Sequence, residues 1–259
     1  MPRLPSCARL ASYALLTLVW GPAVAASDDA VTPYRPSVSN PAQLPAAGQL
    51  ELELGALHSR TDGSRRDSLP YLFKLGFDAR WGVLVGGEAL VVQRDDSGAP
   101  RVRGLGDTNL IAKRAFVIDD ATAFGLEAGV KIPTARSAIG TAHADYVINT
   151  IASRDIGVAH LDANLNATRI GAPDPGTASV QTGLSASLSH PLTPQVALTG
   201  EVSGTRRHGS ASTAQILVAL SYSPSKQLTL DTGLIRGLNP ASPQLALFAG
   251  VVLPIARLW

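Results

Sequence analysis

From Gln244 to Trp259 the chain reads QLALFAGVVLPIARLW. Alternate positions are Leu245, Leu247, Ala249, Val251, Leu253 and Ile255, followed by Arg257 and a terminal aromatic, Trp259. Successive side chains of a strand point to opposite faces, so a period of two divides the residues between two surroundings. An unbroken apolar face on a segment of this length suits a strand with hydrocarbon on one side and a lumen on the other. Beyond the N-terminal region no run of 18 apolar residues occurs, which excludes spanning helices.

The same alternation recurs from Gln49 onward in about twelve segments of roughly ten residues. Leu69, Tyr71, Phe73, Leu75 and Phe77 share one face, with Lys74 and Asp78 on the other. Phe124, Leu126, Ala128, Val130 and Ile132 oppose Glu127 and Lys131, and Leu161, Ala163, Leu165 and Ala167 oppose His160, Asp162, Asn164 and Asn166. A soluble sandwich also alternates. The connections and the arginines argue for a membrane wall instead. Connections alternate between short and long, as in a barrel with tight turns at one end and loops at the other. Arg114, Arg154, Arg169, Arg206, Arg236 and Arg257 fall on the apolar parity, all near segment ends, where a charge in a bilayer costs least. With 24 Gly and 18 Pro the chain has the turn formers that many strands need. The expectation is an all-β fold: a transmembrane up-and-down antiparallel β-barrel of about twelve strands over residues 47–259, located in the bacterial outer membrane.

Residues 1–25 read as a signal peptide: Arg3 and Arg9, an apolar stretch from Leu10 to Val19, then small residues from Ala23 to Ala26. The only cysteine, Cys7, falls inside it, so the exported chain has neither disulfides nor thiolate metal sites. Residues 26–46 hold Pro33, Pro36, Pro41 and Pro45 without any period. They are expected to form an extended periplasmic segment, with a plug inside the barrel as the alternative. A formal charge of +2 gives no basis for binding nucleic acid.

The polar parity gathers Glu51, Lys74, Glu88, Asp107, Lys113, Glu127, Lys131, Asp145, Asp162 and Glu201 as lumen-lining residues. Either the carboxylates bias a pore toward cations, or ion pairs fill a narrow barrel that conducts nothing. The long connections are basic instead. Arg65, Arg66, Arg101, Arg103 and Arg136 form an outer rim suited to the phosphates of lipopolysaccharide, because guanidinium and phosphate pair through two parallel hydrogen bonds. A merely solvated set of loops is the alternative. No catalytic residue, metal site or cofactor is assigned. GxSxG and HExxH are absent, and His160 beside Asp162, with Asp145 on a neighbouring strand, reads more simply as a hydrogen-bonded histidine. The expected partners are the lipid bilayer, lipopolysaccharide, an unidentified small-molecule solute, and the barrel-assembly machinery through the C-terminal strand ending at Trp259.

Several segments together resemble the outer-membrane transporter family labelled for the meta-pathway of phenol degradation. They are Gly104-Leu-Gly-Asp-Thr-Asn-Leu110 leading into Lys113, Ala128-Gly-Val-Lys-Ile-Pro-Thr134, Asp145-Tyr-Val-Ile-Asn149 running into Ser153-Arg-Asp155, His160-Leu-Asp162, and Pro33-Tyr-Arg-Pro-Ser-Val-Ser39. The family pattern continues Pro-Thr-Gly where this chain has Ala135. The resemblance implies a porin-like barrel that passes small aromatic or hydrophobic molecules, and it supplies no catalytic residue. The expected function is passive passage of small molecules; the alternative is a non-conducting structural or surface-interaction barrel.

Overall fold

The computed structural model describes residues 30–136 and 138–259. The signal peptide expected over 1–25 and the first residues of the segment expected over 26–46 lie outside the described residues. Twelve long strands follow one another: β1 (Gln49–Thr61), β2 (Ser64–Gly76), β3 (Trp81–Asp95), β5 (Thr108–Asp119), β6 (Thr122–Ile132), β7 (Asp145–Ile156), β8 (Ala159–Arg169), β9 (Val180–Pro191), β10 (Val196–Arg207), β11 (Thr213–Ser225), β12 (Leu228–Gly237) and β13 (Leu245–Arg257). A short β4 (Val102–Gly104) adds to the upper part of β3. Every ladder is antiparallel. The first strand pairs with the last, from Gln49↔Arg257 to Arg60↔Leu245, so the sheet closes on itself. Closure leaves no row of unpaired backbone groups facing hydrocarbon.

The alternation sorts the residues as the sequence predicts. Leu126, Ile148, Leu165, Leu184 and Val202 stand outward and exposed, whereas Lys113, Glu127, Asn149, Asn164, Ser185 and Glu201 are buried inside. Outward aromatics gather at the end that carries the chain termini. There Phe77, Trp81, Phe116 and Phe124 form part of a girdle, and Arg114 lies 4.9 Å from the Trp81 ring and 4.8 Å from the Phe116 ring. Its charge is thus held at the level where a bilayer gives way to water.

Three details differ from the sequence reading. The first outer connection is the two-residue turn Asp62-Gly63 rather than a loop; Gly63 takes φ of 72°, which glycine reaches without a Cβ clash. The strand β13 carries a bulge near Ile255. Glu51 pairs with Pro254 and Leu50 with Ala256, so Arg257 comes opposite the inward Gln49 instead of continuing the outward row. The third difference is the largest. The segment expected to extend into the periplasm lies inside the barrel, which is the alternative the sequence leaves open.

That segment starts at the terminus-bearing end, where Val31 N donates to the carbonyl of Lys226 in the β11–β12 turn (2.8 Å). It rises to about mid-height, where Val38 and Ser39 meet Glu201 of β10. It then returns to the same end, where Ala47 bridges to Gly76. Tyr34, Ser39 and Ala42 are among its most buried residues. Its physical reason is the polarity of the lumen. Carboxylates and amides of the wall supply acceptors for its backbone N–H groups, and four prolines reduce the number of donors that need one.

At the turn between β2 and β3, Asp78 accepts from the N–H groups of Arg80 (2.6 Å) and Trp81 (2.8 Å). These bonds hold its carboxyl below the ordinary value of 3.8. The stabilisation is therefore full above that ordinary value and is lost as pH falls through the lower folded value. Hydrogen exchange of the Arg80 and Trp81 amides should accelerate only in strong acid, and in Asp78→Asn the acid dependence should disappear. On the wall, Leu126→Arg at mid-height of β6 should cost about 2–4 kcal/mol and Ile132→Arg at its end about 0–1 kcal/mol, measured by equilibrium folding into lipid vesicles.

Candidate functional site

The polar contacts of the lumen fall into three layers, and the inner segment takes part in the first two. In the layer nearest the termini, Lys74 Nζ lies 2.9 Å from Glu51 Oε2 and 2.6 Å from Glu53 Oε1, and it also donates to the carbonyl of Thr32. The two carboxylates accept from the backbone of the segment: Thr32 N to Glu51 (3.0 Å) and Tyr34 N to Glu53 (2.7 Å). Lys113 Nζ lies 3.1 Å from Glu127 and donates to the carbonyl of Pro41 (2.5 Å). The Tyr34 ring lies between the two ammonium groups, 4.4 Å from Lys74 Nζ and 4.1 Å from Lys113 Nζ. Both lysines are fully buried, so each charge is tolerated only because carboxylate, carbonyl and ring face surround it.

The middle layer holds the turn of the segment. Val38 N and Ser39 N both donate to Glu201 Oε2 at 2.8 Å. Asn40 exchanges two bonds with Asn164, each 2.9 Å, and its amide reaches both oxygens of Glu127. Asn149 completes the group, donating to Glu127 (2.9 Å) and Asn164 (3.1 Å). Nearby, Ala42 N donates to Ser153 Oγ (2.7 Å), and Ser153 in turn donates to Asp162. His160 sits between Asp162 (3.2 Å) and Asp155 (2.5 Å). Asp145 belongs to the far end of β7, where it pairs with Lys131 (2.6 Å), so it does not approach His160.

One arginine spans the interior on its own. Arg35 makes a two-point pair with Asp231, Nε to Oδ2 at 3.0 Å and Nη2 to Oδ1 at 2.9 Å. To do so its guanidinium lies flat against the wall over Gly55 and Gly250, which face each other directly across β1 and β13. A Cβ on Gly55 would stand 2.6 Å from Arg35 Nη1, and one on Gly250 would be closer still to Nε. Two opposed glycines therefore provide the slot that lets Arg35 reach Asp231.

The third layer lies toward the opposite mouth. Lys131 pairs with Asp107 (3.6 Å) as well as Asp145, and Asp107 also accepts from Ala135 N (3.0 Å), drawing the connection after β6 over the opening. Arg66 turns inward to Glu88 at 2.5 Å. It lines the lumen and does not stand with Arg65, Arg101, Arg103 and Arg136, which are exposed. Two cavities, of about 380 and 480 Å³, open here with Asn40 in the floor of both. A third, of about 490 Å³, lies on the other side of the segment, lined by His160, Asp162, Ser189 and Thr229. The segment thus divides the interior into an outer vestibule and an inner chamber.

All ten residues expected on the lumen face inward, but they do not form one ring. They serve separate layers, most of them tied to the segment or to a cationic partner. The sequence does not single out Tyr34, Arg35 and Asn40, since nothing in a proline-rich, aperiodic stretch marks an interior position. Tyr34 and Arg35 fall within the run from Pro33 to Ser39 that carries the family resemblance, and Asn40 lies just past it.

Removing one member of a buried pair strands the other, at about 3–5 kcal/mol. Asp231→Ala should therefore release Arg35 and raise hydrogen exchange at Tyr34–Ser39 while the wall strands stay protected. Gly250→Ala should do the same more weakly, because the Arg35 side chain is flexible enough to shift.

No family model and no curated protein matches the sequence. Solved structures do match the fold. The COG4313 outer membrane channel from Pseudomonas putida F1 aligns over 88% of this chain and 98% of its own, with a TM-score of 0.65 and 14% identity. NanC porin aligns over 79% of this chain and 100% of its own, at TM-score 0.56 and 8% identity. The CymD monoaromatic hydrocarbon channel aligns over 82% and 90%, at 0.52 and 9%. The closed antiparallel barrel is the fold that this chain shares with these three solved outer-membrane channels and porins.

Proposed function

We propose that this protein is a narrow outer-membrane channel for the passive passage of small molecules, with residues 30–48 setting its constriction. The observation that carries the proposal is the division of the lumen. A polar vestibule and a polar chamber are separated only by a segment held through side chains. The vestibule presents amides and hydroxyls from β7 to β11, namely Asn149, Asn164, Asn166, Ser185, Ser203 and Gln215, facing Arg66, Glu88, Asp107 and Lys131 on the opposite wall. Such a lining favours polar solutes over the aromatic or hydrophobic ones that the family resemblance implies. Most carboxylates are already matched by Lys74, Lys113, Lys131, Arg35 and Arg66, so cation preference should be weak. The C-terminal strand β13, with Leu258 and Trp259 after it, is the part we assign to recognition by the barrel-assembly machinery.

The same pairing favours a second reading, a barrel kept shut by its own inner segment and serving as a structural or surface-interaction protein. Conductance in a planar bilayer separates the two. The channel reading expects small, discrete steps from the wild-type protein, several-fold larger steps in Arg35→Ala, and faster liposome swelling with small sugars than with aromatic acids. Silence from both proteins would favour the closed barrel.

A further inference from the structure

The outward face of β1, β2 and β3 carries a feature that the lumen does not explain. At the end away from the chain termini, Arg60 pairs directly with Arg65, and Arg65 with Arg94. Directly opposed residues have Cβ atoms about 5 Å apart, and like charges placed so repel one another. Arg103 follows on β4, opposite Val92. All four are exposed. Of these four, Arg65 alone has a carboxylate within 4.0 Å among the described residues. Asp96 reaches only Arg65, at 4.0 Å, and Asp67 is engaged by His58 at 2.6 Å. Among the described residues no carboxylate lies within 4.0 Å of Arg60, Arg94 or Arg103.

Directly below this ladder, toward the middle of the wall, the surface is indented. Ala56 and Ala249 oppose each other there. Beside them β3 bulges, with Ser68 paired to Val91 but Pro70 to Glu88. The result is a groove of about 440 Å³ whose outward lining is Ala56, Leu69, Leu90, Val92, Leu247 and Ala249, with the exposed His58–Asp67 pair at its edge, between it and the arginines. Ala56 lies four residues from Arg60, ~13 Å along the strand at about 3.4 Å per residue.

We propose that this face is a binding site for a phosphorylated, acylated lipid of the outer leaflet. The phosphate lies on Arg60, Arg65 and Arg94, and an acyl chain lies in the groove below. Three guanidinium groups in one row offer paired N–H donors to phosphate oxygens, and the anion removes the repulsion that their register creates. Below the His58–Asp67 pair the groove supplies an apolar bed, at the depth where the chain would leave the headgroup. The end away from Trp259 faces the outer leaflet, since the short turns of such barrels lie in the periplasm and, the turn at Asp62-Gly63 aside, the longer connections stand at this end. Charge complementarity and depth thus select a lipid over a free anion or a protein partner.

The test uses the full folded barrel in detergent, with bound lipid counted by native mass spectrometry. The probes are diphosphoryl lipid A, dephosphorylated lipid A and inorganic phosphate. The triple variant Arg60→Gln, Arg65→Gln, Arg94→Gln should weaken diphosphoryl lipid A at least ten-fold and leave the dephosphorylated form unchanged. The pair Ala56→Phe, Ala249→Phe fills the groove, keeps the arginines and should weaken both lipids. Arg154→Gln, an exposed arginine at the other end of the barrel, should change neither. Undiminished binding of diphosphoryl lipid A by the triple variant overturns the proposal. So does full displacement of the lipid by millimolar inorganic phosphate, which would reduce the row to a simple anion site.

Discussion

Pairing of the first strand with the last is the constraint on which the rest of this molecule depends. In hydrocarbon an unpaired backbone N–H or C=O has no water to turn to, so a sheet survives there only when its edges meet. The ladder between β1 and β13 removes those edges. Closure then fixes two surroundings for every strand, and the period of two decides which residue meets which. It also brings Gly55 and Gly250 face to face. The slot for Arg35 is thus a product of closure: neither glycine has meaning without the other, and they stand at opposite ends of the barrel sequence.

Closing a barrel creates an interior that must be filled by water, side chains or chain. Here much of it is chain. Residues 30–48 contribute backbone donors, and the wall contributes carboxylates that accept them. Fully buried Lys74 holds Glu51 and Glu53 in place, Lys113 holds Glu127, and the two lysines flank Tyr34. A buried charge without such partners would be severely destabilising. The layers are therefore coupled, since each lysine needs its glutamates, and the glutamates also orient the segment. That coupling gives a physical basis for a constriction that is firm yet separable from the wall, because nearly all of its ties run through side chains.

Much of the wall was legible in the sequence because a strand's alternation is local. Leu126 against Glu127, or Leu165 against Asn164 and Asn166, can be sorted without knowing the neighbouring strand. The turn at Asp62-Gly63 was legible as well, since Asp-Gly is a strong hairpin signal, but the broader expectation of long outer loops concealed it. Its position in a basic run places Arg66 on the rim when the sequence is read alone. One residue of difference from Arg65 sends it inward to Glu88. The break in alternation at Ile255 is likewise hidden, because a bulge is defined by the partner strand.

The sequence by itself determined the class of fold, the approximate strand number and the side on which nearly every strand residue lies. These follow from periodicity and from the cost of charge in hydrocarbon, both of which act within one segment. Only the tertiary structure decided that the proline-rich segment fills the lumen, that Arg35 meets Asp231, and that Arg60, Arg65 and Arg94 stand in one row. Each of these is a meeting of distant parts of the chain through strand register. Register is set by pairing across strands and by bulges, which a pattern read along one strand does not contain.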